Sequence, residues 1–358
     1  IIQIVKAKEH LSESLKLFRC LREGIPLEDR PYFGLFYGSV YVNLSGICCL
    51  MREFSEGFRW CEIGHAESFI EELLVSGLTG DWLVDEYRYL SARCRQLRSR
   101  YEVSKDERLL EELRAIERRR DEVYSELSRR RPDLLVTEPL GVEEVAKLLR
   151  DWVLLEYLVS VVESGVFVLR GGGLEFVPLD LTPGRLAEVV NRLYGIVSRY
   201  RWAREERERR SLTLQLRERL SVLFDVLVSP VLDVIKGSKV LIVPDHALYY
   251  VPFAALRGGD RYLVEMVEAL AYAINASSLK YTMVERGGRG TLAVGDPRYV
   301  KHSRLIYSGD ETRLVAELSP GSELLLGEEA TRDAVLRHMP GKRVIHLSCH
   351  GYFNRISP

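Results

Sequence analysis

His350 has the side chain best suited to chemistry in this sequence. It closes an apolar run, Val344-Ile345-His346-Leu347-Ser348-Cys349-His350-Gly351. An imidazole titrates near a pKa of ~6.5, so it can take a proton from a nucleophile near neutrality. A histidine at the carboxyl end of a strand in an α/β sheet also sits where ligands and catalysis concentrate. A general base needs a nucleophile, and the seven residues after Gly351 include no cysteine. Cys349 does not supply one, because neighbouring residues on a strand point to opposite faces. Its expected role is buried and structural. His346 and His350 form an HxxxH pair, a zinc spacing on a helix, but on a strand they would stand roughly 13 Å apart. His346 is therefore expected to be a satisfied core histidine.

Other reactive residues carry weaker signals. The cysteines at 20, 48, 49, 61, 94 and 349 form no CxxC pair, which argues against zinc-ribbon and thioredoxin-like chemistry. A disulfide framework is not expected in a chain long enough to bury a core. Gly171-Gly172-Gly173 lacks phosphate-loop spacing and precedes a strand, so it reads as a hairpin turn. Asp245, after Pro244 and before His246, reads as a turn cap. Asp296, in Gly295-Asp296-Pro297, follows a strand. No cofactor and no metal are expected.

These residues need elements to hold them. Residues 1–85 read as helices. Within them, Asn43 to Gly64 fits one tetratricopeptide repeat in register. Ser45, Gly57 and Gly64 take small positions that let two helices approach, with Cys48 and Cys61 filling the gap between them. A lone repeat cannot bury both faces, so neighbouring repeats are expected before residue 1. Residues 86–132 read as a charged helical hairpin. Ser104-Lys105-Asp106-Glu107 is its capping box, and Pro132 ends it. The arginine runs at 118–120 and 129–131 alternate with glutamates, which predicts an ion-paired, solvated face rather than a nucleic-acid surface.

Residues 133–235 read as a β-meander followed by helices at roughly 183–210 and 211–235. From 236 to 358, strands at 240–243, 291–294, 323–326 and 343–348 alternate with helices at 311–318 and 331–338. Thr331 caps the second of these helices. That order predicts an α/β, open, mainly parallel sheet.

The chain has 358 residues and a net charge of −1, so it carries no global field toward nucleic acid or acidic membranes. Charged residues interrupt its longest apolar stretch, which predicts no membrane span. It opens on Ile rather than Met, as an excised chain would. No secretory leader is evident, and a cytoplasmic protein is expected. Few amides beside abundant Arg and Glu suggest a thermophilic source.

Several segments in order resemble one family. Lys239 to Leu256 (KVLIVPDHALYYVPFAAL), Tyr262-Leu263-Val264-Glu265, Ala293 to Pro297, Leu326 to Thr331 and His346 to Gly351 look like the CHAT-domain peptidases. These are caspase-like domains that accompany tetratricopeptide repeats. Glu138-Pro139-Leu140 and Leu154 to Tyr157 look like the usual lead-in. The resemblance implies a caspase-like fold, incomplete here, and a cysteine endopeptidase with a His–Cys dyad. It makes His350 the catalytic histidine and gives the backbone N–H of Gly351 a part in binding the oxyanion. Without a Cβ, Gly351 would let a substrate carbonyl approach backbone donors. Caspase-type enzymes carry the nucleophile roughly 50 residues after the histidine, which lies past Pro358. This chain alone is therefore expected to be inactive, with a second polypeptide as one source of the cysteine.

By the same resemblance, the loop holding Asp296 would shape the pocket for the residue before the scissile bond. A carboxylate there could select Arg or Lys. The simpler expectation is a turn in which Asp296 accepts backbone hydrogen bonds. The expected partners are a protein or peptide substrate and a protein activator bound through the helical front. The setting would be prokaryotic defence or signalling. The alternative is a non-catalytic scaffold of repeats and an inactive caspase-like domain.

Overall fold

The computed structural model describes residues 2–23, 30–76, 82–130, 139–283, 287–299 and 302–351. Pro132, Glu138, Tyr352 and Phe353 lie outside the described residues. The chain divides into two compact units, Ile1–Met283 and Val284–Pro358. No described helix is long and apolar enough to cross a membrane.

Among the described residues, the first unit opens with α1 (Ile2–Glu23), α2 (Arg30–Leu50), α3 (Phe54–Ser76), α4 (Trp82–Ser104) and α5 (Glu107–Arg130). Small residues bring α2 and α3 together. Ser45 Oγ donates to the carbonyl of Gly57 at 2.7 Å. A Cβ on Gly57 would stand 3.2 Å from the Ser45 carbonyl oxygen, and one on Gly64 would stand 3.2 Å from Tyr41 Cβ. The two cysteines do not share one gap, however. Cys48 packs with Leu15, Tyr41, Leu44 and Ile63. Cys61 packs with Phe58, Val145, Leu154, Phe167 and Leu241. At 3.6 residues per turn, positions 61 and 63 stand about 200° apart on α3, so Cys61 and Ile63 face opposite ways.

The hairpin of α4 and α5 is joined by Arg93–Glu112 at 2.6 Å, Arg98–Glu117 at 2.8 Å and Arg119–Glu86 at 2.8 Å. The mixed charges are therefore paired across the two helices. Its cap differs from the expected box. Asp106 Oδ1 accepts from Arg108 N at 3.0 Å, whereas Ser104 Oγ donates back to the carbonyl of Arg100 at 2.9 Å. Ser104 remains within the last turn of α4, and the left-handed Lys105 (φ 55°) turns the chain, so the short acidic side chain beyond it caps α5.

A five-stranded mixed sheet follows. Its order is β3 (Gly173–Pro178), β2 (Gly165–Arg170), β1 (Trp152–Leu158), β4 (Lys239–Val243), β7 (Ala269–Tyr272). The short hairpin β5 (Arg257–Gly258) and β6 (Arg261–Tyr262) stands apart from it. β1 to β3 are antiparallel neighbours, while β1, β4 and β7 run parallel, with Leu155 opposite Ile242. Gly171 and Gly172 take φ of 56° and 86° in the β2–β3 turn, a conformation that favours glycine.

Both sheet faces are buried, as strands this continuously apolar require. Val153, Leu155, Tyr157, Val240 and Ile242 pack against α7 (Pro183–Trp202) and α8 (Glu206–Leu227). Leu154, Leu158, Leu241 and Val243 pack toward α3 and α6 (Val142–Leu149). The break between α7 and α8 falls at Ala203–Glu205, earlier than the expected 210.

The second unit holds a three-stranded parallel sheet in the order β10 (Val344–Ser348), β8 (Thr291–Gly295), β9 (Glu323–Leu326). The helices α9 (Ser308–Leu318) and α10 (Arg332–His338) lie between its strands, and Thr331 Oγ1 accepts from Ala334 N at 3.2 Å as the expected cap. This corrects the expectation of one mainly parallel sheet running from residue 240 to 348. β4 pairs with β1 and β7 instead of joining β8. Among the described residues between β4 and β8, the chain makes 3₁₀ turns, a hairpin, β7 and the four-residue helix Leu279–Thr282. β7 takes the free edge of β4, and the meander strands complete that sheet from the other side.

Candidate functional site

The parallel pairing of β8 with β10 sets Gly295 opposite Ser348. The residues just past both strands, Asp296 and Cys349-His350-Gly351, therefore emerge at the same carboxyl end. His350 Nε2 lies 2.7 Å from the carbonyl of Ser303. A carbonyl can only accept, so Nε2 carries the proton and Nδ1 is the basic nitrogen of the neutral ring. Tyr299 meets the ring edge-on, with centroids 5.0 Å apart, and His302 lies 5.2 Å away. Tyr299 and His302 also line a cavity of about 500 Å³ with Asp296, Arg304 and Glu328.

Among the described residues, the partner of the Asp296 carboxylate is Arg304. Its Oδ1 accepts from Arg304 Nε at 2.8 Å, its Oδ2 accepts from the same nitrogen at 3.1 Å, and Arg304 Nη2 completes the pair. The guanidinium holds the Asp296 carboxyl below the usual carboxylate range. Asp296 itself has φ 47°, an uncommon conformation for a residue other than glycine.

Cys349 is exposed, which overturns the expected buried role. It follows the end of β10, an edge strand whose Val344 and Leu347 are also uncovered. His346 is half-buried rather than a core histidine. Its Nε2 lies 3.1 Å from Glu311 Oε1, close enough for charge pairing but without hydrogen-bond alignment. Gly351 is exposed.

A second cluster lies in the first unit, where the sequence reading placed only packing and a turn. On α3, Cys61 and His65 are one helical turn apart. Cys61 Sγ lies 4.0 Å from His65 Nδ1, and Glu156 Oε1 of β1 lies 3.3 Å from that same nitrogen. His65 Nε2 faces Asp245 Oδ1 at 3.3 Å. Asp245, just after β4, also accepts from His246 Nδ1 and Val159 N, each at 2.7 Å. It is not a local cap but a buried clamp between the exits of β1 and β4 and helix α3.

Next in sequence to Cys61, Glu62 accepts from Ala276 N at 2.6 Å and from Ser277 N at 2.7 Å. Burial, then the neighbouring Glu156 carboxylate, pushes the Glu62 carboxyl well above its ordinary range. Burial also raises the Cys61 thiol. For His65, burial opposes the charged form, but the Cys61 sulfur and the Asp245 and Glu156 carboxylates together raise its pKa. The sequence did contain a pointer, the i, i+4 spacing in Cys61-Glu62-Ile63-Gly64-His65.

Residues 217–358 match the CHAT domain family. A CHAT domain is therefore present in that stretch, which aligns it in general with the caspase-like proteins. The match begins inside α8 and leaves out β1, although β1 pairs with β4. Comparison with curated proteins returned no match.

Proposed function

We propose that the CHAT stretch contributes the base half of a caspase-like cysteine endopeptidase. His350 Nδ1 accepts the thiol proton, and the Gly351 N–H faces the developing oxyanion. The observation that carries this reading is the β8–β10 register, which brings His350 and Asp296 to one strand end beside a cavity. The family match supports it. The helical front, including the tetratricopeptide-like pair α2 and α3, is the docking region for a protein activator.

Cys349 is the sole cysteine in the sequence from Val284 to Pro358, and it adjoins His350 along the chain. Residues 1–358 alone are thus expected to leave peptides uncut. In a preparation that does hydrolyse peptides, with the thiol supplied by further chain or by a second polypeptide, His350→Ala is expected to lower kcat/KM about 10²–10⁴-fold. Unchanged hydrolysis by that variant would remove His350 from the reaction. Hydrolysis by residues 1–358 alone, lost on His350→Ala, would show that the nucleophile lies within them.

Asp296 is the specificity candidate. A substrate Arg or Lys would replace Arg304 as the partner of its carboxylate, a charge-assisted exchange. Asp296→Ala is expected to erase any preference for basic over neutral residues before the cut, read as the ratio of kcat/KM for matched peptides. An unchanged ratio leaves Asp296 as the anchor of its loop. The scaffold reading would instead be favoured by a complete gene product that has no cysteine after Gly351.

A further inference from the structure

Cys61, His65 and Glu156 bring a sulfur, an imidazole nitrogen and a carboxylate oxygen within 4.8 Å of one another. The S···N separation is 4.0 Å and the N···O separation 3.3 Å. Tetrahedral zinc, with bonds of about 2.3 Å to sulfur and 2.0–2.1 Å to nitrogen and oxygen, would set these at roughly 3.6 and 3.3 Å. The S···N distance thus exceeds the zinc value by a few tenths of an ångström, and S···O, within 4.8 Å, would close toward roughly 3.6 Å on binding.

Several observations favour a bound cation over simple packing. Glu156 is fully buried, yet among the described residues no hydrogen bond reaches its Oε2. Glu62, next to Cys61 on α3, is a second fully buried carboxyl and accepts from Ala276 N and Ser277 N. Asp245 adds a third buried carboxylate, set on the far nitrogen of His65. A carboxylate there fixes the ring with Nε2 protonated and Nδ1 free, the arrangement seen behind metal-binding histidines.

We propose that Cys61, His65 and Glu156 are ligands of a divalent zinc-class metal ion, with Asp245 orienting His65 from behind. Thiolate, imidazole and carboxylate together suit a borderline-soft ion and not magnesium or calcium. On binding, Cys61 gives up its thiol proton to solvent, while the free Nδ1 of His65 offers its lone pair directly. The thiolate and carboxylate then balance the two charges of the ion. The bound ion would pin α3 of the helical front to β1 of the sheet.

Two competing readings are weaker. Cys61, His65 and Asp245 resemble a nucleophile triad, but Cys61 is 1 % exposed and no substrate carbonyl can reach its sulfur. A second group, Cys48, Glu53 and Glu56, also has metal-like spacing. There the Lys8 ammonium already sits 2.5 Å from Glu53 and 2.7 Å from Glu56, so that cation position is filled.

The test uses residues 1–358, stripped with a chelator and reloaded with zinc or cobalt. The expected result is one ion per chain after dialysis. Cobalt should give a sulfur-to-metal charge-transfer band that Cys61→Ser abolishes and Cys48→Ser retains. Asp245→Asn should weaken zinc binding about 10–100-fold. X-ray absorption of the zinc-loaded wild type decides without any variant, with one sulfur at ~2.3 Å beside nitrogen and oxygen at ~2.0–2.1 Å. Failure to retain one ion per chain, absence of a sulfur neighbour, more than one sulfur, or a band that survives Cys61→Ser would overturn the proposal. None of these readouts depends on peptidase activity.

Discussion

Asp245→Ala is expected to cost about 3–5 kcal/mol of stability at neutral pH, the range for breaking a buried charge network from one side. The carboxylate is 3 % exposed and accepts from Val159 N, His246 Nδ1 and His65 Nε2. Truncation leaves a backbone N–H and a buried imidazole without their acceptor. Burial alone would push the Asp245 carboxyl up, but the hydrogen bonds from His246 and His65, with their charges, hold it well below the usual carboxylate range.

The sign of the pH dependence follows. A depressed folded pKa contributes stability that is present above the unfolded value of ~3.9 and is lost as pH falls below it. His65 has the opposite sense. Its folded pKa is raised, so its contribution is complete below ~6.5 and declines as pH climbs through the folded value. Urea denaturation of wild type and variant across pH 3–9 is the measurement. The gap between the two curves should be widest from about pH 4 to 6.5 and narrow below ~4. Asp245→Asn retains an acceptor for Val159 N and should fall between them. A gap under ~1 kcal/mol at pH 6 would mean that Asp245 is not the clamp described.

Much of the local structure was legible from residue patterns. Apolar runs bounded by Gly, Pro and Asp located β4, β8, β9 and β10 within a residue or so, and Thr331 announced its helix. Pairing was harder to read. Parallel partners are chosen by contacts far apart in sequence, such as Trp152 with Lys239, and no local pattern records that choice. The segment after β4 lacked the helical periodicity of a crossover, and this was the sign that β4 and β8 belong to separate sheets.

At the candidate site, the resemblance alone joins the Asp296 loop to the His350 strand, and the parallel register of β8 with β10 sets Gly295 opposite Ser348. The grip of Arg304 on Asp296 is not legible in the sequence, because it spans an irregular loop. From its immediate neighbours Asp245 reads as a turn residue, yet beside the local His246 its partners are Val159, just past β1, and His65 on α3. Cys61 was assigned to the helix–helix gap by repeat register, which concealed its spacing from His65.

Tyr157→Ala is expected to cost a further ~3–5 kcal/mol, the usual range for deleting a large buried ring. Tyr157 is wholly buried, its ring centroid is 5.2 Å from that of Phe253, and its hydroxyl donates to the Leu227 carbonyl at 2.9 Å. Leu227 is the last residue of α8, where helix carbonyls lack intrahelical partners. Tyr157→Phe removes only that bond and should cost about 1–3 kcal/mol, since a buried acceptor is left unpaired.

The location of the loss matters more than its size. Tyr157 lies outside residues 217–358, yet β1 supplies one of the two neighbours of β4. If the CHAT stretch needs β1 as a sheet partner, Tyr157→Ala should speed hydrogen exchange at the β4 amides of residues 240–243 as much as at β1 itself. Protected β4 amides beside a melted β1 would show that the matched stretch holds its strand without the meander. Exchange rising together in both strands would instead make residues 152–178 part of the folding unit, and any fragment beginning at residue 217 would expose one edge of β4 to aggregation.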